Sequence, residues 1–150
     1  VKALTVSQPY ASFIAGGEKR CENRTWFTWY RGPLLIHAGK GTQYLKPSED
    51  HLFEDVGIPM YRSAIVALAD LTDCVRPDRA REILPHRFHL DVGGPWCWIL
   101  SNVRHFVVDG VMGERGLWTP STGVIDRVNA ALPTAVRRSN GEIGGAKCLA

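Results

Sequence analysis

Gly17-Glu18-Lys19-Arg20-Cys21-Glu22-Asn23-Arg24 runs into Thr25-Trp26-Phe27-Thr28-Trp29-Tyr30 and then Arg31-Gly32-Pro33-Leu34-Leu35-Ile36-His37-Ala38. From Cys21 to Tyr30 the chain concentrates β-branched and aromatic residues, which suit a pleated, half-buried surface. Arg31-Gly32-Pro33 punctuates it, and Leu34 to Ala38 is an apolar run of strand length. Two strands joined by a tight connection are predicted. Upstream, Tyr10, Phe13 and Ile14 recur at helical spacing, Pro9 suits the first turn, and Gly16-Gly17 ends the element. The charged string therefore lies between a glycine-terminated helix and an aromatic strand.

Before that helix, Leu4 and Val6 alternate with Thr5 and Ser7 as in a short strand. Beyond Ala38, Lys46-Pro47-Ser48-Glu49-Asp50 opens a predicted helix carrying Leu52, Phe53 and Val56, closed by Gly57 and Pro59. Ala64 to Leu71 reads as a buried strand, Asp78 to Leu84 as a short charged helix stopped by Pro85. Trp96 to Leu100 and Val103 to Val108 read as two further strands. Pro120 to Leu132 reads as a helix with Val124, Val128 and Leu132 on one face. Strands outnumber helices, and no regular alternation with long helices points to a parallel sheet. The predicted class is α+β: a small β-barrel with peripheral helices over residues 1–132, followed by an extended or partner-ordered tail over 133–150.

At 150 residues with 45% apolar and 22% charged residues, the chain has the composition of one globular domain. Its apolar runs fall far short of the roughly 20 residues of a membrane span. The first residues lack the apolar core and cleavage site of an export signal, so a cytoplasmic location is expected. Cys21, Cys74, Cys97 and Cys148 are scattered without a C-x-x-C pair and read as reduced thiols. Net charge is only +3, yet 13 of the 18 basic residues are Arg, the better fork for phosphate. Composition thus permits a nucleic-acid or nucleotide partner without demanding one.

In the charged string, Glu22 and Arg24 project to one face of a strand beginning at Glu22, where carboxylate and guanidinium can pair. Lys19, in the turn beforehand, can point at the barrel mouth. By pattern alone such a run beside a turn reads as a solvated surface cluster. The string nevertheless joins three other blocks: Gln8-Pro9-Tyr10-Ala11, Tyr30 to Ala38, and Gly94-Pro95-Trp96-Cys97-Trp98. In this order, over about residues 4–119, the chain resembles the ASCH domains, relatives of the PUA-like β-barrels that include RNA-binding and modified-base-reading modules.

The resemblance implies a PUA-like barrel with a cleft beside the first helix, in which Lys19, Glu22 and Arg24 face a nucleotide or base and Gln8 lies nearby. Expected partners are RNA, single-stranded nucleic acid or a nucleoside, with no membrane. Some relatives bind or cleave RNA. Others are amidohydrolases that remove the acyl group of N4-acetylcytidine, using a Lys and, three residues later, a Thr nucleophile, with a later Glu assisting. Lys19 matches the Lys, but Glu22 stands at the Thr position. A carboxylate there implies a different mechanism, with Glu22 activating water, Lys19 stabilising the oxyanion and Arg24 holding Glu22 or a phosphate. The expected function is binding of RNA or a modified nucleoside, with a lean toward metal-independent hydrolysis (ribonuclease or N4-acylcytidine amidohydrolase). The alternative is a non-catalytic reader.

Other candidates carry ordinary readings beside functional ones. Trp26, Trp96 and Trp98 offer faces on which bases stack, although core packing accounts for most indoles. Trp118 follows a glycine-rich loop and suits a lid or wall. His37 lies in an apolar strand, as a hydrogen-bonded core histidine would, or on a cleft wall. Lys40, between two glycines, reaches a phosphate or is a solvated loop lysine. Asp70 and Asp73 are positional candidates for the later acid. His86, His89 and Cys97 lack a second ligand pair for a metal, and no P-loop, dinucleotide fingerprint or nucleophile elbow is present. No metal or organic cofactor is expected.

Overall fold

Strand β3 (Gly32–Ala38) is buried from Leu34 to Ala38, and β4 (Ala64–Val75) is buried without alternation from Ala64 to Ala69. Such continuous burial requires cover on both faces of the sheet. The computed structural model, which describes residues 1–45 and 57–138, shows how this is met. The two strands sit mid-sheet in the order β2-β5-β4-β3-β1-β6, where β1 is Lys2–Val6, β2 Cys21–Arg24, β5 Trp96–Val108 and β6 Leu117–Trp118. Among the described residues only β1 and β3 pair in parallel, and the other pairs are antiparallel. The sheet curls into a half-barrel with peripheral helices, an α+β architecture.

Alternate residues of each strand feed different cores. Leu4, Val6, Leu34, Ile36, Val66, Trp98 and Leu100 pack on one side with Ala11, Ile14 and Ala15 of helix α1 (Tyr10–Gly16). Ala3, Leu35, Ile65, Leu68, Phe106 and Trp118 pack on the other with Val128 and Leu132, at the end of helix α3 (Thr122–Ala131). Between them in sequence, α2 (Pro77–Ile83) and a 3₁₀ helix (His86–Asp91) cover the β2–β5 edge with Ala80, Leu84 and Phe88 over Cys21, Cys97 and Ile99. Each layer follows from the period-2 pleat meeting an apolar helical face.

Two expectations are corrected. The strand predicted to run to Tyr30 ends at Arg24. Beyond it Trp26 turns its ring against Trp98 at 4.7 Å and Phe27 against Trp96 at 4.9 Å. Tyr30 N–H donates to Thr28 Oγ1, and Arg31 donates to the Thr28 and Tyr30 carbonyls. Local bonds of this kind replace a ladder. Conversely, the two strands predicted at 96–100 and 103–108 are one, β5. Asn102 takes φ 48°, its amide donates to Asp70 Oδ2 at 3.0 Å, and the β4–β5 register shifts nearby. A polar pair thus becomes a bulge that bends the strand without breaking it.

The helix expected from Lys46 lies outside the described residues. Past α3, Val136–Arg137 form a short strand β7 on Arg104 and His105 of β5. Among the described residues, no helix is long and apolar enough to cross a membrane.

Candidate functional site

The turn after α1 sets the site. Gly17 takes φ 89°, its N–H donates to Ile14 O, and the N–H groups of Glu18 and Lys19 both donate to Phe13 O. Glycine meets this left-handed conformation without steric cost. The chain is thereby bent back into β2 with Lys19 directed inward, only 5% of its side chain exposed.

Lys19 Nζ lies 3.4 Å from Glu22 Oε2, and Arg24 Nη2 lies 3.3 Å from Glu22 Oε1. Lys19 also donates to Cys21 O, and Arg24 Nη2 donates to Thr5 O at 2.7 Å. In this triad Lys19 and Glu22 are thus buried and Arg24 is half-buried, in place of the solvated surface cluster that pattern alone suggests. Both carboxylate oxygens of Glu22 face a cation, which compensates its burial. Arg24 Nε is buried with no hydrogen-bond partner among the described residues, leaving a donor for something else.

A second acid joins from far along the chain. Asp91, at the end of the 3₁₀ helix, faces Lys19 and Glu22; burial pushes its carboxyl above the usual range, with Lys19 opposing and Glu22 adding to the shift. Its loop is fixed by Asn23, whose amide donates to Asp91 O at 2.6 Å and whose Oδ1 accepts from Gly93 N and Gly94 N at 2.9 Å each. Asn23 and Asp91 escaped the sequence reading. The signal lay within the quoted string for Asn23, but nothing local tied Asp91 to it.

These groups line a cleft of about 460 Å³ with Thr5, Ser7, Tyr10, Tyr44 and Leu90. That is within the roughly 300–1,000 Å³ of small-molecule sites. Its apolar rim is Tyr10, Tyr44 and the fully exposed Leu90. The tyrosine rings are 5.6 Å apart, and Lys19 Nζ sits 5.9 Å from the Tyr10 centroid.

Lys19, Glu22 and Arg24 come together as the sequence suggests; the remaining candidates do not join them in the cleft lining. Gln8 is fully buried, donating to Ser12 Oγ and Tyr61 O and accepting from Ser12 N. It fixes the start of α1 beneath the site. Trp98 is fully buried in the core with Trp26 against it, and Trp96 packs on Phe27 with the Arg76 guanidinium 4.1 Å from its ring. The aromatic rim is therefore tyrosine, and Trp26, Trp96 and Trp98 pack away from the cleft lining. His37 is 2% exposed, bonded through Nε2 to Val111 O at 2.8 Å and edge-on to Trp118, itself core-packed. Lys40 is exposed on the loop beyond β3. Asp70 holds Asn102, and Asp73 pairs with Arg31 at 3.3 Å. His89 bonds Leu84 O, and among the described residues no three His, Cys, Asp or Glu side chains converge as metal ligands.

Comparison with known proteins gives the fold its context. The ASCH domain family matches residues 4–108. The chain is 31% identical over 129 residues to activating signal cointegrator 1 of Homo sapiens and 30% identical over 130 residues to that of Mus musculus. Each match takes in 77% of the chain but only 21% of the relative, so the chain spans about a fifth of these proteins' length. A crystal structure of ASCH from Zymomonas mobilis superposes with a TM-score of 0.53 at 10% identity, covering 86% of this chain and 93% of that one. A point mutant of the same Zymomonas mobilis protein superposes at 0.54 and 12% identity, covering 87% and 97%.

Proposed function

Because the chain belongs to the ASCH domain family, we propose that it binds RNA or a modified nucleoside, with one base seated in the cleft beside α1. The observation that carries this reading is the convergence of Lys19, Arg24, Glu22 and Asp91 in a hollow rimmed by Tyr10 and Tyr44. A nucleobase presents donors and acceptors along one edge and a flat face for stacking. The cations supply donors for a base carbonyl or ring nitrogen, and the carboxylates accept from an exocyclic amine. The tyrosine rings and Leu90 offer the apolar surface. Binding without chemistry accounts for the triad as it stands, since both Glu22 oxygens are held by cations and are poorly placed to take a proton from water.

Metal-independent hydrolysis, as RNA cleavage or N4-acylcytidine deacylation, is the second reading, favoured by Asp91. A carboxyl whose burial raises its proton affinity, beside a buried ammonium, suits proton transfer. In deacylation, water adds to the acyl carbon while Asp91 takes its proton, Glu22 holds Lys19 in place, and Lys19 stabilises the oxyanion. The C–N bond then breaks as the proton passes to the departing N4 amine.

Incubation of wild type, Tyr10→Ala, Lys19→Ala and Glu22→Ala with N4-acetylcytidine and with a mixed RNA, followed by affinity and product analysis, tests both. Binding lost in Tyr10→Ala with no product at any stage supports the reader. Turnover that vanishes in Lys19→Ala and Glu22→Ala supports the hydrolase. Wild-type binding in all three variants refutes the cleft.

A further inference from the structure

The wall of the cleft has a second side. Along the bend into β2, Lys19, Glu22 and Arg24 face the cleft, while Glu18 and Arg20 line a separate hollow of about 450 Å³. The 3₁₀ helix divides in the same way: Leu90 and Asp91 line the cleft, Arg87 and Phe88 the other hollow. Arg138 completes the second hollow. Three guanidinium-bearing residues and one carboxylate-bearing residue thus share one concave surface.

That surface is built rather than accidental. Arg20 is 8% exposed, and its Nη2 donates to Arg138 O at 2.6 Å. Arg138 N donates to Val103 O at 2.8 Å, so its backbone is pinned from both sides. Gly17 permits the approach, because a Cβ there would lie 2.6 Å from Arg138 O. The Arg87 guanidinium lies 4.7 Å from the Phe88 ring, a packing that leaves its N–H edge for a ligand. The Arg20 guanidinium is held below its ordinary pKa by burial and by the like charge of Arg87, with Glu18 the opposing charge. Glu18 offsets part of this charge, acting on Arg138 and Arg20, but among the described residues it makes no direct ion pair with Arg20, so burying one guanidinium beside another remains costly unless a further anion joins them.

We propose that the hollow formed by Arg20, Arg87 and Arg138 is an anion site that holds a backbone phosphate of a nucleic-acid strand. Guanidinium forks match phosphate oxygens in geometry, and several of them around one hollow favour a phosphate over a single carboxylate. The assignment of this anion site to a strand whose base occupies the cleft rests on the proposed function. Since the two hollows share one wall, a strand can place a base on one side and a neighbouring phosphate on the other.

The test uses the full chain with three probes: inorganic phosphate, cytidine, and a fluorescent five-nucleotide single-stranded RNA. Arg87→Ala changes an exposed side chain and spares the buried Arg20. It is expected to weaken RNA binding roughly 5–20-fold at low salt and to reduce the salt-dependence slope by about 0.7, one phosphate contact on a single strand. Arg87→Lys is expected to restore the slope with only part of the affinity, and cytidine binding is expected to be unchanged in both. In wild type, millimolar phosphate is expected to shift the Arg20 and Arg87 Nε–H resonances. Unmoved resonances, or an Arg87→Ala variant with wild-type RNA affinity and salt slope, overturn the proposal. Absence of cytidine binding alongside shifted arginine resonances defeats the cleft reading and leaves the anion site standing.

Discussion

Replacing Glu22 by Gln tests whether the triad is a desolvated unit or a set of independent charges. The change keeps the shape and removes the charge that both cations face, at 3.4 Å from Lys19 and 3.3 Å from Arg24. Breaking a buried pair by deleting one partner costs about 3–5 kcal/mol, because the remaining charge stays desolvated. Lys19, 5% exposed, bears that cost nearly in full; Arg24, 22% exposed beside an open cleft, recovers some of it through water. A loss of about 2–4 kcal/mol is therefore expected, a fall in melting temperature on the order of 5–12 °C for a chain this size. Urea denaturation with an unchanged m-value measures it. A double-mutant cycle with Lys19→Met should return a coupling of about 1–3 kcal/mol, since the second change removes the stranded ammonium. Glu22→Gln within about 0.5 kcal/mol of wild type, with no coupling to Lys19→Met, would refute the reasoning, as exposed pairs behave that way.

Three further outcomes follow from particular contacts. His37 donates Nε2–H to Val111 O, so protonation must occur at the buried Nδ1, which has no partner among the described residues; burial lowers its pKa. The unfolded chain then binds more protons, so this stabilisation is complete above about pH 6.5 and is lost as pH falls from there through the depressed folded value. Urea midpoints at pH 7.5 and 5.0 should diverge less in His37→Gln than in wild type, and parallel losses would contradict this. Asn23→Ala removes the three bonds that hold Asp91, Gly93 and Gly94. A cost of about 1–3 kcal/mol and faster hydrogen exchange at Gly93 and Gly94 are expected, whereas unchanged exchange would show the loop to be held otherwise. Gly17→Ala meets a φ of 89° and the Arg138 carbonyl at once. A loss of at least about 1–2 kcal/mol and faster proteolysis after β7 are expected, and a neutral substitution would contradict the close approach.

Periodicity made much of this fold legible. Leu34 to Ala38 and Ala64 to Ala69 read as strands because continuous burial leaves an unbroken apolar run, and α1 announced itself through Tyr10, Phe13, Ile14 and the glycines after them. What escaped is tertiary in origin. Ser101-Asn102 reads as a break, yet Asp70 on the neighbouring strand turns it into a bulge. Trp98 alternates like a cleft residue, but the curl of the sheet and the ring of Trp26 bury it. At the site, Lys19, Glu22 and Arg24 were legible because one turn and one strand carry all three. Asp91 was not, since only the folding of the 3₁₀ helix against β2 brings it to Glu22. Tyr10 read only as part of the helical spacing of α1, whereas it is 39% exposed and stands at the cleft rim.

The most direct measurement is a titration of the isotope-labelled chain with cytidine and N4-acetylcytidine, followed by side-chain and amide NMR. Saturable shifts confined to Tyr10, Lys19, Glu22, Asn23, Arg24 and Asp91, with ligand-to-tyrosine ring contacts, are the predicted result. Saturable binding that leaves those six residues unmoved, or no binding of either nucleoside or of single-stranded RNA, would contradict the account.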